Sequence, residues 1–254
     1  MTRYRRSLWL LTTRDLRVRY STSVLGYVWS ILDPLLMAGI YWFVFTQIFD
    51  RGSVGQQPYI VFLLAALLPW MWFTGAVSDS TRAFLREAKL VRSTTIPRTI
   101  WVARLVLSKG IEFVFAIPVL IAFAIFAGAT FHWQAVFFPV AILIQAILIL
   151  GIGLIIAPLV VFFRDLERAV KLVTRFLFYG SPIIYGLSDL EDLGLHSLAA
   201  FNPLSGIFSL YRAAFFPEQL DWFAVGVSAA MSLALFGIGL LVFRRNIASV
   251  LKEI

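Results

Sequence analysis

The chain has 254 residues, of which 60% are hydrophobic and only 14% are charged, with a net charge of +8. Soluble globular domains carry about 25% charged residues, so this composition excludes an ordinary soluble protein. The apolar runs are about 20 residues long and show no alternation of apolar and polar residues. This pattern fits membrane-spanning helices and excludes tilted barrel strands.

The first 24 residues predict an amphipathic helix that lies in the plane of the membrane interface. Leucines with Trp9 and Val18 give it an apolar side, and arginines surround the rest. The leucines are Leu8, Leu11 and Leu16. Two interpretations stay open. The helix either serves only as a topology anchor, or it forms a cytoplasmic collar that attracts an anionic lipid headgroup, because arginine binds phosphate through a bidentate fork.

The apolar runs predict an all-α, polytopic membrane protein with six transmembrane helices in one domain of residues 1–254. The spans cover residues 25–49, 59–77, 110–129, 137–163, 172–185 and 222–243. The first run begins after a long polar start, and no small-residue cleavage site follows it, so we expect a retained span. The fifth is short and is broken by GSPIIYG at 180–186. The stretch 187–220 is too polar to span and predicts short helices on the outer face, lying on the membrane or partly entering it.

Basic residues are divided unequally between the two sides of this layout. All but two of the 22 Lys and Arg residues lie on the side that carries both termini, the exceptions being Arg51 and Arg212. The positive-inside rule therefore predicts that both termini are cytoplasmic. The net charge then reflects topology and attraction to anionic lipid heads, and nucleic-acid binding is a poor explanation.

Residues 80–99 join the second and third spans and predict a short charged helix on the cytoplasmic face. It is expected to end before Ile96 and Pro97, because proline forces the preceding residue into an extended backbone. It is either a solvated connector or a lever that docks into another protein, and periodicity does not choose between them. Its charged residues include Arg82, Arg86, Glu87, Lys89 and Arg92.

Ionisable residues inside the predicted spans are few. Lys109 and Glu112 are three residues apart, so they can pair on one helix face. Arg104 and Lys109 stand at the start of the third span, where long basic side chains can snorkel to the headgroups, and this is favoured over an ion relay. Asp33 is followed by Pro34, which predicts a helix kink with a hydrogen-bonded carboxyl.

Aromatic residues make up 16% of the chain and recur at helical spacing in several spans. Trp42, Phe45 and Phe49 fall at i, i+3 and i+7 in the first span, and PWMWF occupies residues 69–73 in the second. Phe176 and Tyr179 belong to the fifth. Most are expected to form interfacial belts or packing. An aromatic face is also a flat surface that suits the C–H faces of sugar rings.

Motifs for catalysis and nucleotide binding are missing from the sequence. The phosphate-binding pattern G-x-x-x-x-G-K-[ST] does not occur, and no side-chain set suggests nucleophilic catalysis. Cysteine is absent, and His132 and His196 lie far apart, so a metal site is not expected. The acidic cluster DLED at 189–192 predicts a solvated outer loop. The residues alone therefore predict a transporter-like membrane subunit.

Six stretches occur together in a fixed order: RYSTSVLGYVWSILDPLL at 19–36, PWMWF at 69–73, LVRSTTIPR at 90–98, FFRDLERAV at 162–170, SPIIYG at 181–186 and FNPLSGI at 201–207. With the six-span layout, this set resembles the permease subunits of ABC-2 polysaccharide exporters. These Wzm-type proteins export O-antigen, galactan, capsule or teichoic-acid chains. Each stretch alone is weak, and the ordered set is fairly specific for the family but not for the cargo.

The resemblance implies a homodimer in which each subunit supplies half of a channel. One separately encoded ATPase subunit would bind beneath each half, so ATP and Mg²⁺ would belong to that partner and this chain would hold no cofactor and be no enzyme. The cargo implied is a lipid-linked polysaccharide of the undecaprenyl-pyrophosphate type, moved outward across a bacterial inner membrane. Membrane lipids are the other expected partners.

The resemblance also implies roles for particular segments. Residues 80–99 become a coupling and gate helix that faces the ATPase through Arg82, Arg86, Glu87, Lys89 and Arg92. Residues 1–24 resemble an interfacial helix, and the candidates to attract the lipid pyrophosphate are Arg14, Arg17 and Arg19. The first and fifth spans line the channel in this family, so the candidate aromatic residues are Trp42, Phe45, Phe49, Phe176 and Tyr179. Residues 187–220 resemble outer-face gate helices.

Three rival functions stay open at this point. A proton-coupled secondary transporter would need more spans or inverted halves and carboxylates near the midplane, for which Asp33 alone is thin support. A membrane glycosyltransferase or lipid-modifying enzyme would need clustered acidic or histidine side chains. The one cytoplasmic candidate, Asp165 with Glu167, lies beside arginines and is better explained by ion pairing. An ABC-2 exporter of a small molecule or drug would share the fold but would usually lack this set of stretches.

Overall fold

The computed structural model describes residues 2–20, 28–44, 55–191 and 194–253. Within these ranges every regular element is helical, which confirms the predicted all-α class. The α-helices in chain order are α1 (Thr2–Tyr20), α2 (Val28–Trp42), α3 (Tyr59–Ser80), α4 (Ala88–Ser93), α5 (Ile100–Phe126), α6 (Phe138–Phe162), α7 (Leu166–Gly180), α8 (His196–Ala200), α9 (Ser205–Arg212) and α10 (Trp222–Glu253). Short 3₁₀ turns lie at Trp133–Phe137, Ser188–Leu190 and Pro217–Gln219.

Four helical segments among the described residues have the length and composition to cross a membrane: Tyr59–Ser80, Ile100–Phe126, Trp133–Phe162 and Trp222–Glu253. They correspond to the second, third, fourth and sixth predicted spans. The other two predictions fall on α2 and α7, which have 15 residues each. Fifteen helical residues rise about 22 Å, less than the roughly 30 Å of a hydrocarbon core. Parts of the predicted first span, 25–27 and 45–49, lie outside the described residues.

The helix bundle has two chemically different ends. The basic end carries α1, residues 81–99 and the start of α7, and there the Phe84 ring packs 6.0 Å from the ring of Phe243 in α10. The opposite end carries residues 127–137, 181–191 and 194–221. One link between these segments is the His132 amide, which donates to the Ala214 carbonyl over 3.0 Å. The short helices predicted between 187 and 220 are present at this opposite end.

Helix α3 occupies the middle of the bundle, with 78% of its most apolar window buried. It packs against α2, α5, α6, α7 and α9, and its apolar residues cover most of its circumference, as expected of a buried helix. A polar link joins it to α6, because the fully buried Gln145 donates its Nε2 to the Pro69 carbonyl over 2.7 Å. Such links hold helices together where no water competes.

Helices α6 and α10 touch through their backbones. A β-carbon on Gly239 would lie 2.4 Å from the Gly151 carbonyl oxygen, and one on Gly151 would lie 2.6 Å from the Phe236 nitrogen. Neither contact leaves room for a side chain, so glycine is what allows the approach. Small residues at helix interfaces are the usual means of close packing in membranes. The pair thus forms a fixed wall beside α3.

The start of α5 differs from the sequence prediction. The helix begins at Ile100, well before residue 110, and Arg104 does not snorkel. Its side chain is 3% exposed and pairs with Asp15 of α1, Nη1 to Oδ1, over 2.7 Å. The partner on another helix makes burial of the charge tolerable. The predicted local pair is confirmed, since Lys109 donates its Nζ to Glu112 over 2.7 Å.

The predicted helix across 80–99 is shorter than expected. Residues 81–87 form turns, and only Ala88–Ser93 is helical, although the helix does end before Ile96 as predicted. Ala83 and Phe84 are buried in a cluster with residues of α5, α6 and α10, so tertiary packing overrides the local helical preference. In α1, Leu16 is buried whereas Trp9 and Val18, assigned to the same apolar side, are exposed.

Candidate functional site

A cleft of about 390 Å³ opens between α2, α3 and α7. Its aromatic lining consists of Tyr41, Trp70, Phe178 and Tyr179. The Phe178 ring lies at the centre, with its centroid 5.7 Å from that of Tyr41 and 5.6 Å from that of Trp70. It also lies 5.2 Å from the Tyr179 ring. These spacings are typical of interacting aromatic pairs, so rings from three helices form one connected cluster.

Helix α7 presents its contribution to the cleft on one face. The residues are Lys171, Thr174, Arg175, Phe178 and Tyr179. They follow the i, i+3, i+4, i+7 and i+8 spacing of a helical stripe. The stripe is cationic near the start of α7 and aromatic near its end. Aromatic faces provide a stacking surface, whereas the ammonium, guanidinium and hydroxyl groups supply hydrogen-bond donors. The cleft can therefore bind a ligand that combines apolar ring faces with hydroxyl or anionic groups.

The five aromatic residues predicted from the sequence lie in different surroundings. Tyr179 lines the cleft and is 64% exposed. Phe176 is 70% exposed and is not part of the cleft lining, and Trp42 is exposed near the end of α2. Phe45 and Phe49 lie outside the described residues. Tyr41, Trp70 and Phe178 were not chosen as candidates. The signal that could have found Phe178 was its helical spacing from Lys171 and Arg175 rather than from Phe176.

Charged side chains at the basic end join α1 to the segment that follows α3. Arg14 donates its Nη2 to both oxygens of Glu87, over 2.9 and 3.2 Å, and the Arg104–Asp15 pair lies beside it. A cavity of about 140 Å³ lies between the two pairs, and Asp79, Arg82 and Arg86 complete its charged lining. The buried pair fixes α1 on α5. The exposed pair ties α1 to the turns at 81–87.

A second ion pair joins those turns to α7. Arg82 donates to Glu167, and Lys171 donates its Nζ to the same Glu167 oxygen over 2.9 Å. Hydrogen bonds from the two cations lower the pKa of Glu167 to about 2. The same contact raises the pKa of Arg82. The carboxylate is therefore charged at neutral pH and connects residues 81–87 to the first turn of α7.

The predicted coupling residues divide into tied and solvent-facing groups. Arg82 and Glu87 hold neighbouring elements through the ion pairs above, whereas Arg86, Lys89 and Arg92 are exposed. The three arginines predicted to attract a pyrophosphate also differ. Arg14 pairs with Glu87 and Arg17 is exposed, and the side chain of Arg19 lies outside the described residues. Arg86, Lys89 and Arg92 therefore form a cationic surface around α4. The preceding turns, which carry Arg86, are tied to α1 by the Arg14–Glu87 pair and to α7 by the Arg82–Glu167 pair.

A buried arginine organises the opposite end of the bundle. Arg212, which the sequence marked only as an exception to the charge bias, is 2% exposed. Its guanidinium donates to the main-chain carbonyls of Pro182, Ile183 and Tyr185 over 2.8, 2.6 and 3.1 Å. Its Nε donates to the Phe62 carbonyl over 3.2 Å, and its Cζ lies 3.6 Å from the centre of the Phe62 ring. One side chain thus holds the segment after α7 against α3.

Further polar contacts hold the same segment. The Tyr59 hydroxyl donates to the Ile184 carbonyl over 3.0 Å. Asp189 accepts hydrogen bonds from the Gly55 and Gly186 amides at 2.9 and 2.8 Å. The interpretation of DLED as a solvated loop is therefore wrong for Asp189. Of its two backbone partners, Gly55 is distant in the sequence and Gly186 lies across a turn. Asn202 donates to the Ser181 hydroxyl over 2.8 Å. Within the described ranges, no group of His, Asp or Glu residues could hold a metal ion.

Comparison with known proteins places these features in a family context. The profile described as ABC-2 type transporter matches residues 6–216. The O-antigen export system permease protein RfbA of Klebsiella pneumoniae is 33% identical over 237 residues, which is 93% of this chain and 90% of that protein. Its namesake from Myxococcus xanthus is 31% identical over 218 residues, 85% and 83% of the two chains. The polysialic acid transport protein KpsM of Escherichia coli is 25% identical over 242 residues, 92% and 91%.

Proposed function

The chain belongs to the ABC-2 type transporter family, and we propose that it is the permease subunit of an ATP-driven polysaccharide exporter. Its relatives are named for O-antigen export and polysialic acid transport. The observation that carries the cargo class is the stripe on α7, which is cationic at one end of the cleft and aromatic at the other. A lipid-linked glycan offers a matching sequence of groups, an anionic pyrophosphate followed by sugar rings.

The complete channel is a homodimer in this proposal. The faces of α2 and α7 support it, because apolar side chains on both helices are exposed in the single chain: Leu36 and Ile40 on α2, and Leu172, Val173 and Phe176 on α7. Each helix is too short to cross a bilayer unaided, so we place them as the first and fifth of six spans, continued by residues beyond their ends. Trp42, Phe45, Phe49, Phe176 and Tyr179 then contribute to the sugar path.

The energy source in this proposal is a separate ABC ATPase, one copy per subunit, which binds ATP and Mg²⁺. It docks on the cationic surface around α4, where Arg86, Lys89 and Arg92 face solvent. Residues 1–24 and 80–99 lie in the cytoplasm, together with both termini, and the cargo is drawn to Arg14, Arg17 and Arg19. Residues 187–220 form the outer gate. The chain is placed in a bacterial inner membrane and moves undecaprenyl-pyrophosphate-linked polysaccharide outward.

Export by the reconstituted complex tests this function. The chain is purified with its cognate ATPase and placed in proteoliposomes with a lipid-linked oligosaccharide, and transported glycan is counted after ATP is added. We expect Tyr179→Ala to reduce transport without loss of the ATPase subunit, whereas Phe126→Ala, which removes an exposed aromatic ring far from the cleft, leaves transport unchanged. ATP-independent transport, or transport abolished only by a protonophore, would show that the proposed function is wrong.

The docking surface has a separate test. Arg86→Glu combined with Lys89→Glu reverses two exposed charges on the proposed ATPase-facing surface. The double variant is expected to weaken co-purification of the ATPase and to uncouple glycan-stimulated ATP hydrolysis. Glu191→Lys with Glu218→Lys is the control, because it reverses two exposed charges at the opposite end of the bundle. Equal coupling in both variants would contradict the assignment.

A further inference from the structure

A second cleft, separate from the aromatic one, lies between α1 and α5. Its volume is about 370 Å³. Arg5 and Arg6 form one part of its wall, and Leu8, Trp9 and Leu107 form the rest. It thus combines two permanent cations with an apolar surface. None of these five residues takes part in the ion pairs and aromatic contacts of the candidate site.

The apolar part of this cleft consists of side chains from α1 and from the beginning of α5. Leu107 is 43% exposed and Trp9 is 63% exposed. Leu107 belongs to the span-length segment Ile100–Phe126 and lies three residues before the predicted third span, which places it near the membrane interface. At this level an exposed leucine side chain contacts lipid acyl chains, and an exposed tryptophan side chain lies in the membrane interface.

The cleft is built by a fixed contact between two helices. Thr12 and Leu16 of α1 are buried, and the buried Arg104–Asp15 pair holds α1 on α5. Arg104 and Leu107 are three residues apart and therefore lie on neighbouring turns of the same side of α5. The geometry of the apolar wall consequently depends on an ion pair in the protein and not on the ligand.

The positive charge of Arg5 and Arg6 favours an anionic ligand in this cleft. Arg5 and Arg6 are exposed, and no carboxylate in the described part of the chain pairs with either. Guanidinium groups bind phosphate through two parallel hydrogen bonds. Arg14, the nearest candidate for pyrophosphate attraction, lies eight residues further along α1, a rise of about 12 Å. The two positions can therefore be occupied independently.

We propose that this cleft binds one anionic phospholipid. The headgroup phosphate contacts Arg5 and Arg6, and an acyl chain lies along Leu8, Trp9 and Leu107. The lipid bridges α1 and α5 and holds the first turns of α1 at the membrane surface. This inference does not depend on the identity of the cargo, and it names a resident lipid rather than a transported one.

Native mass spectrometry of the purified, delipidated full chain tests the proposal. The protein is titrated with phosphatidylglycerol, with phosphatidylcholine of the same acyl chains and with inorganic phosphate. We expect tight 1:1 binding of phosphatidylglycerol only. Arg5→Gln with Arg6→Gln is expected to weaken it by about thirtyfold, which is the effect of removing two basic contacts to an anionic membrane lipid. Arg244→Gln with Arg245→Gln removes the same charge elsewhere and should leave binding unchanged.

A second variant separates the shape of the cleft from its charge. Leu107→Trp fills the apolar wall and keeps both arginines, and its exposed position makes it compatible with folding. It is expected to reduce phosphatidylglycerol binding as well. Equal binding of phosphatidylcholine, or equal loss in the two double variants, would overturn the proposal. Competition by inorganic phosphate would also overturn it, because the site would then hold a free anion and not a lipid.

Discussion

Replacement of Arg212 tests whether one buried guanidinium holds the segment after α7. The change Arg212→Met keeps an unbranched apolar stem, which is shorter than that of arginine, and removes every donor together with the contact between the guanidinium and the Phe62 ring. Three loop carbonyls, those of Pro182, Ile183 and Tyr185, then lose their partner. The Phe62 carbonyl belongs to α3 and retains its helical hydrogen bond.

The magnitude follows from those three carbonyls. A buried acceptor left without a partner costs about 1–3 kcal/mol, which gives a loss of about 3–9 kcal/mol. Removal of a buried charge relieves its desolvation and offsets part of this. We therefore expect Arg212→Met to destabilise the packed loop by about 3 kcal/mol. Arg212→Lys should be intermediate, because a lysine ammonium has three donors but lacks the planar fork.

The assay uses the absence of cysteine from the chain. Ile184→Cys places a thiol at a buried position of the loop, and its reaction rate with a maleimide reports how often the loop opens. In the Arg212→Met background the rate should rise by about a hundredfold, the equivalent of about 3 kcal/mol. Arg168→Met, which removes an exposed arginine from α7, is the matched control. An unchanged labelling rate with Arg212→Met would refute the reasoning.

Three further predictions concern packing and charge. Gly239→Ala should lower the melting temperature of the detergent-solubilised protein by several degrees, because overpacking costs about 1–3 kcal/mol. Gly237→Ala should leave the melting temperature unchanged, because its added β-carbon meets nothing within 4 Å. Arg104→Met should destabilise α1 docking by about 3 kcal/mol, because it breaks the buried ion pair that joins α1 to α5. Faster proteolysis at the end of α1 measures this. The pKa of Glu167 is lowered to about 2 in the folded protein. The ion pairs of this carboxylate are therefore fully present above the pKa that Glu167 has in the unfolded chain, and they are lost only as pH falls toward 2. A carboxyl ¹³C titration will measure this.

Local features of the sequence predicted much of the fold. Four spans follow from apolar runs of bilayer length, since such runs are informative without any knowledge of tertiary contacts. The Lys109–Glu112 pair was predicted because its residues are three apart on one helix. The all-α class follows from the need to satisfy every backbone group within a helix. These predictions depend on residues that are close in the chain.

Contacts between residues that are distant in the chain were not predicted from the sequence. Arg104 was expected to reach the headgroups because its partner, Asp15, lies 89 residues away. Arg82 and Glu167 are 85 residues apart, and neither hydrophobic period nor charge pattern pairs them. Arg212 was set aside as an exception, although a lone arginine on a side depleted in basic residues indicates a buried structural role. Tertiary ion pairs therefore decide where a charged residue lies, and periodicity decides only which helix carries it.

The two ends of α7 are held with unequal strength. At the basic end the helix is tied to residues 81–87 through Glu167, which lies in an exposed cluster, and exposed ion pairs contribute little to stability. At the opposite end the chain after Gly180 is held by the buried guanidinium of Arg212 and by the Tyr59 hydroxyl. We therefore expect a force applied to α7 to displace its basic end first. Because Lys171 and Arg175 lie at that end of the cleft and Phe178 near the other, we expect such a displacement to open the cationic part of the cleft while the aromatic part keeps its packing.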